Sequence, residues 1–498
     1  MADDDLVTVV GNPGEPPPAL QDQVADMTEY MADFYTSMKA VSPEMVRGIR
    51  VFQILQALPL LWFHGDLPSL YQLSEASAEL DEFWSHSWRA SLWIKYVNIL
   101  YLNNCSLASG VGTFFAALAA LLYYVGVLPV WESGYPRCRW STIFGIAAFY
   151  LSLLLYRRSK LVFFDIGCIH QRDGALKIRG LLSLGAVLKS SKSLQVLWHR
   201  TFVTRLWCLF EIGAFLHIRQ EEKRPLAVCP PLLGPGALGF HVCASLFVCA
   251  VLFLVQLRQI AMSGLILVGC LFFLSFTMFV HAMRAYCRDI DTMQRQLMEF
   301  SVSSATSHCC ESSSCANHVS ICDREVILQC IVAWFGSVEN FEIHVRSDVR
   351  VSMAGQLANG AFLYHRILSA TTPLFWFYFD VTISVKDHRK LPSLFRSLAL
   401  WLAALPCLVK LMLHLSYRLR TKRGSVCADC LVSAGLMLSV SLLVFALLVG
   451  GIYLFDPNDD SMMKTLTFFF LSILITGLVW QKVPTIRLDP HPSSLPAC

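Results

Sequence analysis

Segment 106–130 contains no Asp, Glu, Lys or Arg, and neither do segments 237–257 and 263–283. Each run reaches the roughly 20 apolar residues that a helix needs to cross about 30 Å of hydrocarbon. Lipid offers the backbone no hydrogen-bond partner, so a crossing run must be helical. Only 15% of the 498 residues are charged, against about 25% in ordinary soluble domains. The chain therefore reads as a polytopic α-helical membrane protein of seven to eight spans. Segments 106–130 and 141–156 form a first hairpin, and 237–257 and 263–283 a second. The C-terminal group comprises 361–383, 397–415, 426–455 and 465–480. Segment 361–383 is the weakest, because His365, Arg366, Pro373 and Asp380 fall within it.

The N-terminus is acidic and lacks the basic start of a secretory signal, so residues 1–40 read as a disordered cytosolic tail. Basic residues flank the hairpins at Arg157, Arg158 and Lys160 and again at Arg284 and Arg288. Arg418, Arg420, Lys422 and Arg423 lie between two later spans, and the next turn holds Asp456, Asp459 and Asp460. The positive-inside rule then places both termini in the cytosol and the acidic turn outside. Lys386, Arg389 and Lys390 fall outside in an eight-span arrangement and oppose the rule. Eighteen cysteines are scattered, many within spans, and do not form a secreted disulfide pattern.

Between the spans lie three polar blocks, giving the order 41–104 cytosolic, 105–157 hairpin, 158–233 cytosolic, 234–284 hairpin, 285–358 cytosolic and Cys/His-rich, 359–482 C-terminal bundle and 483–498 cytosolic tail. The first block reads as a strand near Asp81 and a helix over 92–103. In the second, a strand opens near Leu161, a helix covers 175–190, a strand 193–198 and a helix 204–216. A fourth strand is expected at 297–305, followed by a helix at 323–334. Alternating strands and helices imply a parallel sheet covered on both faces.

Asp81-Glu-Phe-Trp-Ser-His-Ser87 resembles the first strand of Toll/interleukin-1 receptor (TIR) domains. Phe163-Phe-Asp165 with its loop to Gly174 looks like their second strand, and segment 191–198 is similar to the third. Trp207-Cys-Leu-Phe-Glu-Ile212 is close to the W-C-L-x-E-L helix of plant-type members. Weaker similarity links Phe164 to Gln171 and Trp207-Cys208 to heterokaryon-incompatibility domains. A domain interrupted in this way also resembles multi-span protist membrane proteins. The resemblance covers about a quarter of the chain and implies a cytosolic α/β TIR-like parallel-sheet domain assembled from segments between the spans.

In several TIR families the glutamate of the W-C-x-x-E helix takes part in cleaving NAD between nicotinamide and ribose. The matching residue is Glu211, and the implied substrate is NAD. Positive charge develops on the ribose, which a fixed carboxylate stabilises. Trp207 shares a helix face with Glu211, and His86, Ser87 and Arg89 are expected to line the same cleft. Cys310, Cys315, His318 and Cys322 have a spacing that suits tetrahedral zinc; free or acylated thiols are the alternative. Expected partners are the lipid bilayer and, by the resemblance, a second copy or TIR-type proteins, with no nucleic acid. A transporter or channel is the competing class, with His241, His281, Asp380 and Lys410 as its ionisable candidates; Arg284 and Lys410 read as snorkelling cations near span ends.

Overall fold

The computed structural model describes residues 18–131, 135–221, 224–254, 261–305, 323–360, 362–454 and 461–483. The chain opens with helix α1 (Pro18–Thr36), then strand β1 (Arg47–Arg50), helix α2 (Val51–Phe63) and strands β2 (Glu75–Ala76) and β3 (Glu82–His86). Two long apolar helices follow, α3 (Leu92–Tyr124) and α4 (Trp140–Leu155). Next come β4 (Leu161–Phe163), α5 (Asp165–Cys168), α6 (Gly174–Leu182), α7 (Leu184–Ser190), β5 (Leu194–Leu197), α8 (Leu206–Glu221) and β6 (Leu226–Cys229). After α9 (Leu233–Leu254) and α10 (Ala261–Met298) come α11 (Asp323–Phe335) and α12 (Val338–Ala358). The chain ends in α13 (Tyr364–Ala370), α14 (Thr372–Ser384), α15 (Asp387–Arg418), α16 (Val426–Leu454) and α17 (Met462–Lys482).

These elements sort into two compact units. Segments Met1–Ala90, Lys160–Ala227 and Gln296–Val351 make the first, and Ser91–Ser159, Val228–Arg295 and Ser352–Cys498 the second.

The first unit is built on a sheet of order β2-β1-β4-β3-β5-β6. Strand β3 is central and runs parallel to both β4 and β5, whereas β1 pairs antiparallel with β4 and with β2. Four successive residues of β3, Phe83 to His86, are buried, as expected of a strand covered on both faces. Phe83 stacks on Phe163 of β4 at 4.7 Å. A Cβ at Gly48 in β1 would meet Leu80 and Leu161 side chains at 2.6 and 2.7 Å, so only glycine lets β1 lie this close. Asp173 caps α6 by accepting from the amides of Ala175 and Leu176 at 2.9 and 3.1 Å.

Three expectations for the polar blocks and the N-terminal tail fail. Residues 297–305 form the end of α10 and a short turn at Val302–Ser304; the fourth strand of the β4-β3-β5-β6 row is β6 instead. Its four residues lie between Pro225 and Pro230, too short for alternation to show. Residues 18–36 of the expected disordered tail form α1, whose Ala32 and Tyr35 are buried. The helix expected at 92–103 does not stop there but continues as α3 into the first apolar run.

Among the described residues six helices are long and apolar enough to cross a membrane: α3, α9, most of α10, α15, the first part of α16, and α17. This is an integral membrane protein of the polytopic helical type. Segment 141–156 gives α4, which is 16 residues long. Segment 361–383 gives two short helices, α13 and α14, broken at Thr371. The pair α11 and α12, bent by 76°, is long and apolar enough for a crossing only when counted as one; α11 packs on α1 and α8, which marks it as a cover of the sheet.

Candidate active site

The carboxyl ends of the parallel strands and the residues that follow them line a cleft of about 320 Å³. Its walls include His86 at the end of β3 and Trp88 beyond it, Asp165 beyond β4, Arg205 just before α8, and Trp207, Cys208 and Glu211 within α8. Lys177 of α6 and Asp323 of α11 also line it. In open sheets of this kind, ligands bind outside the carboxyl ends of the strands, where the strand order reverses. The row β4-β3-β5-β6 reverses at β3, since β4 lies on one side of it and the later strands on the other.

Glu211 receives a hydrogen bond from the Ser85 hydroxyl of the central strand. Burial pushes its carboxyl up to about 8; the nearby Asp165 carboxylate adds to the rise, while the Ser85 hydrogen bond and Arg205 oppose it. Glu211 therefore holds a proton near neutrality and gives it up in slightly basic solution or beside a cationic ligand.

Asp165 organises the opposite wall. Its carboxylate accepts from the Trp88 indole at 2.7 Å and lies 3.5 Å from His86 Nε2. His86 is buried and tilts against Phe164 at 5.3 Å. The Trp207 indole donates to Asp323 at 3.0 Å and meets Tyr35 of α1 edge-on at 6.2 Å. Burial, with the nearby Asp323 carboxylate second, holds the Tyr35 hydroxyl far above its ordinary range, so it stays neutral.

Of the residues expected at this site, Glu211, Trp207 and His86 line the cleft. Ser87 is buried against Thr201, with the two hydroxyls 2.9 Å apart, and Arg89 is exposed; neither is in the lining. Sequence reasoning missed Asp165, Lys177, Arg205 and Asp323. Asp165 had a signal, an acid placed directly after a buried strand. Asp323 and Lys177 had none, because only the fold brings them in.

Cys310, Cys315, His318 and Cys322 lie outside the described residues. Among the described residues no three His, Cys, Asp or Glu side chains group as a metal site.

The ionisable candidates of the helical unit have structural partners. Asp380 of α14 accepts from the amides of Ser141 and Thr142 at 2.9 Å each, capping α4. His241 stacks on Phe149 at 3.7 Å and bonds Tyr150 and Thr372. Arg284 does not snorkel: it is fully buried and donates to Asp429, Ser433 and the carbonyl of Leu419. His281 Nδ1 lies 3.8 Å from the same Asp429 carboxylate. Lys410 is buried over the Trp480 ring at 4.7 Å, so its ammonium finds an aromatic face in the unit's own core.

No family model, curated protein or solved structure matches this chain.

Proposed function

We propose that the sheet unit is a TIR-like cytosolic module of a multi-pass membrane protein, signalling by cleavage of NAD at the nicotinamide–ribose bond. The observation that carries this reading is Glu211, a buried carboxyl on the wall of a cleft at the ends of parallel strands. The strand order supports it: taking β3, β4, β5 and β6 as first to fourth gives the order 2-1-3-4 of doubly wound flavodoxin-like sheets. Lys177 and Arg205 supply positive charge for a pyrophosphate, and Trp88 and Trp207 supply flat apolar surface for a ring.

In the reaction the C–N glycosidic bond breaks and its electron pair leaves with nicotinamide. Water attacks the ribose carbon and its proton passes to the Glu211 carboxylate or to solvent. The ionised carboxylate stabilises the positive ribose in between.

The test is nicotinamide release by full-length protein, in detergent and at high density in liposomes. Glu211→Gln, which keeps size but removes charge, should cost about 100- to 1,000-fold in rate. An inactive wild type at high density, or full activity in Glu211→Gln, overturns the enzymatic reading. A module without this activity would act by self-association. A transporter is the less supported reading, since its candidate ionisable groups are bonded within the helical unit.

A further inference from the structure

We propose that a groove along α3 in the helical unit binds an anionic phospholipid. The groove encloses about 620 Å³ and is graded from one end to the other. Ser106, Tyr156 and Arg158 form its polar end, and Leu107 and Phe114 are among the side chains of its apolar end. Among the described residues no Asp or Glu lines it. Arg158 is anchored by a hydrogen bond from its guanidinium to the Asn103 carbonyl at 3.2 Å, which fixes the cation at the mouth. Arg157, next in the chain, is also exposed.

The gradient runs the way a lipid does. From Ser106 to Phe114 a helix rises about 12 Å, a large part of one leaflet of a ~30 Å core. Leu107 and Phe114 are 43% and 63% exposed, an apolar surface that acyl chain covers. Gly110 forms the floor between them, and a Cβ there would meet nothing within 4 Å, so the floor is open for a chain to lie on. A cation above an apolar trough whose described lining holds no carboxylate selects a negatively charged headgroup over a zwitterionic one. The site belongs to the helical unit alone and does not rest on the chemistry proposed for the cleft.

Native mass spectrometry of the delipidated full-length protein in detergent tests this, with dioleoyl phosphatidylserine and dioleoyl phosphatidylcholine as probes. The wild type should retain phosphatidylserine about five-fold more tightly, the factor that one basic residue near a membrane surface supplies. Arg158→Gln should erase the preference and Arg158→Lys should keep it. Gly110→Phe, which fills the floor without touching the charge, should weaken both lipids. Glycerol phosphate alone should not displace the lipid. Equal retention of the two lipids by the wild type overturns the proposal. So does an undiminished preference in Arg158→Gln, unaltered binding in Gly110→Phe, or displacement by glycerol phosphate, which would mark a site for free phosphate.

Discussion

At the scale of a single residue, Glu211 couples chemistry to pH in two ways. Its carboxyl sits at about 8 when folded, well above the ordinary 4.5. The folded chain therefore holds a proton that the unfolded chain surrenders above its own pKa. The stability tied to that proton is complete below about pH 4.5 and is lost as pH rises through about 8. Thermal melts of wild type and Glu211→Gln between pH 5 and 8.5 should differ in slope, the variant losing less as pH rises; parallel slopes would mean that Glu211 is ionised throughout. Catalysis runs the other way: the carboxylate form is the one that stabilises a cationic ribose, so nicotinamide release should climb with pH through about 8. Ser85→Ala removes the hydrogen bond that holds the carboxyl down, and its profile should move to higher pH. An unmoved midpoint would place the titration on another group. The W-C-x-x-E pattern made Glu211 legible in the sequence, but its protonation was not, because the partner that sets it, Ser85, lies 126 positions away.

At the scale of elements, the helical unit is held by small and buried contacts that local pattern does not reveal. Arg284 of α10 bridges the turn at Leu419 to Asp429 and Ser433 of α16. Position alone suggested a snorkelling cation near a span end, whereas the structure buries it completely. Removing one partner of a buried pair leaves an uncompensated charge and typically costs about 3–5 kcal/mol, while replacing both with apolar groups is often neutral. Arg284→Met should lower the melting temperature of the purified protein sharply, and Arg284→Met with Asp429→Leu should recover most of the loss; a double variant as weak as the single one would show that the carbonyl bonds of Arg284 matter more than its ion pair. Trp376 of α14 is equally hidden, fully buried against two glycines: a Cβ at Gly112 or Gly145 would lie 2.8 or 2.6 Å from its ring. Small residues let helices approach closely in lipid, so Gly145→Leu should unseat Trp376. Its tryptophan emission should shift and the protein should lose thermal stability. Strands β3 and β5 were legible from buried apolar runs, but β6 and the two-strand antiparallel edge were not, because they are too short to show a period and depend on pairing with distant chain.

At the scale of the whole molecule, the order of segments restricts how the chain can thread a bilayer. The sheet unit draws on three segments separated by α3–α4 and by α9–α10, so each helical pair must bring the chain back to the side it left. If α3 crosses, α4 must cross too, although its 16 residues span only about 24 Å. Trp140 and Tyr156 at its ends suit the two interfaces of a locally thinned bilayer. The same reasoning makes α13 and α14 together one broken pass, because Asp380 near the end of α14 caps the start of α4. With the six long helices among the described residues this gives eight expected passes, an even number, so the segments before α3 and after α17 are expected on one side, the cytosolic side to which the positive-inside rule assigns the basic segment around Arg420. Single cysteines at positions 172, 388, 421 and 459, introduced where accessible native thiols have been removed, can be probed with a membrane-impermeant reagent in intact cells. Positions 388 and 459 should label, and 172 and 421 should label only after the membrane is opened. Protection at 388 and 459 with labelling at 421 would remove α13 and α14 from the list of passes; labelling at 172 in intact cells would reverse the orientation and place the cleft outside, where cytosolic NAD could not reach it.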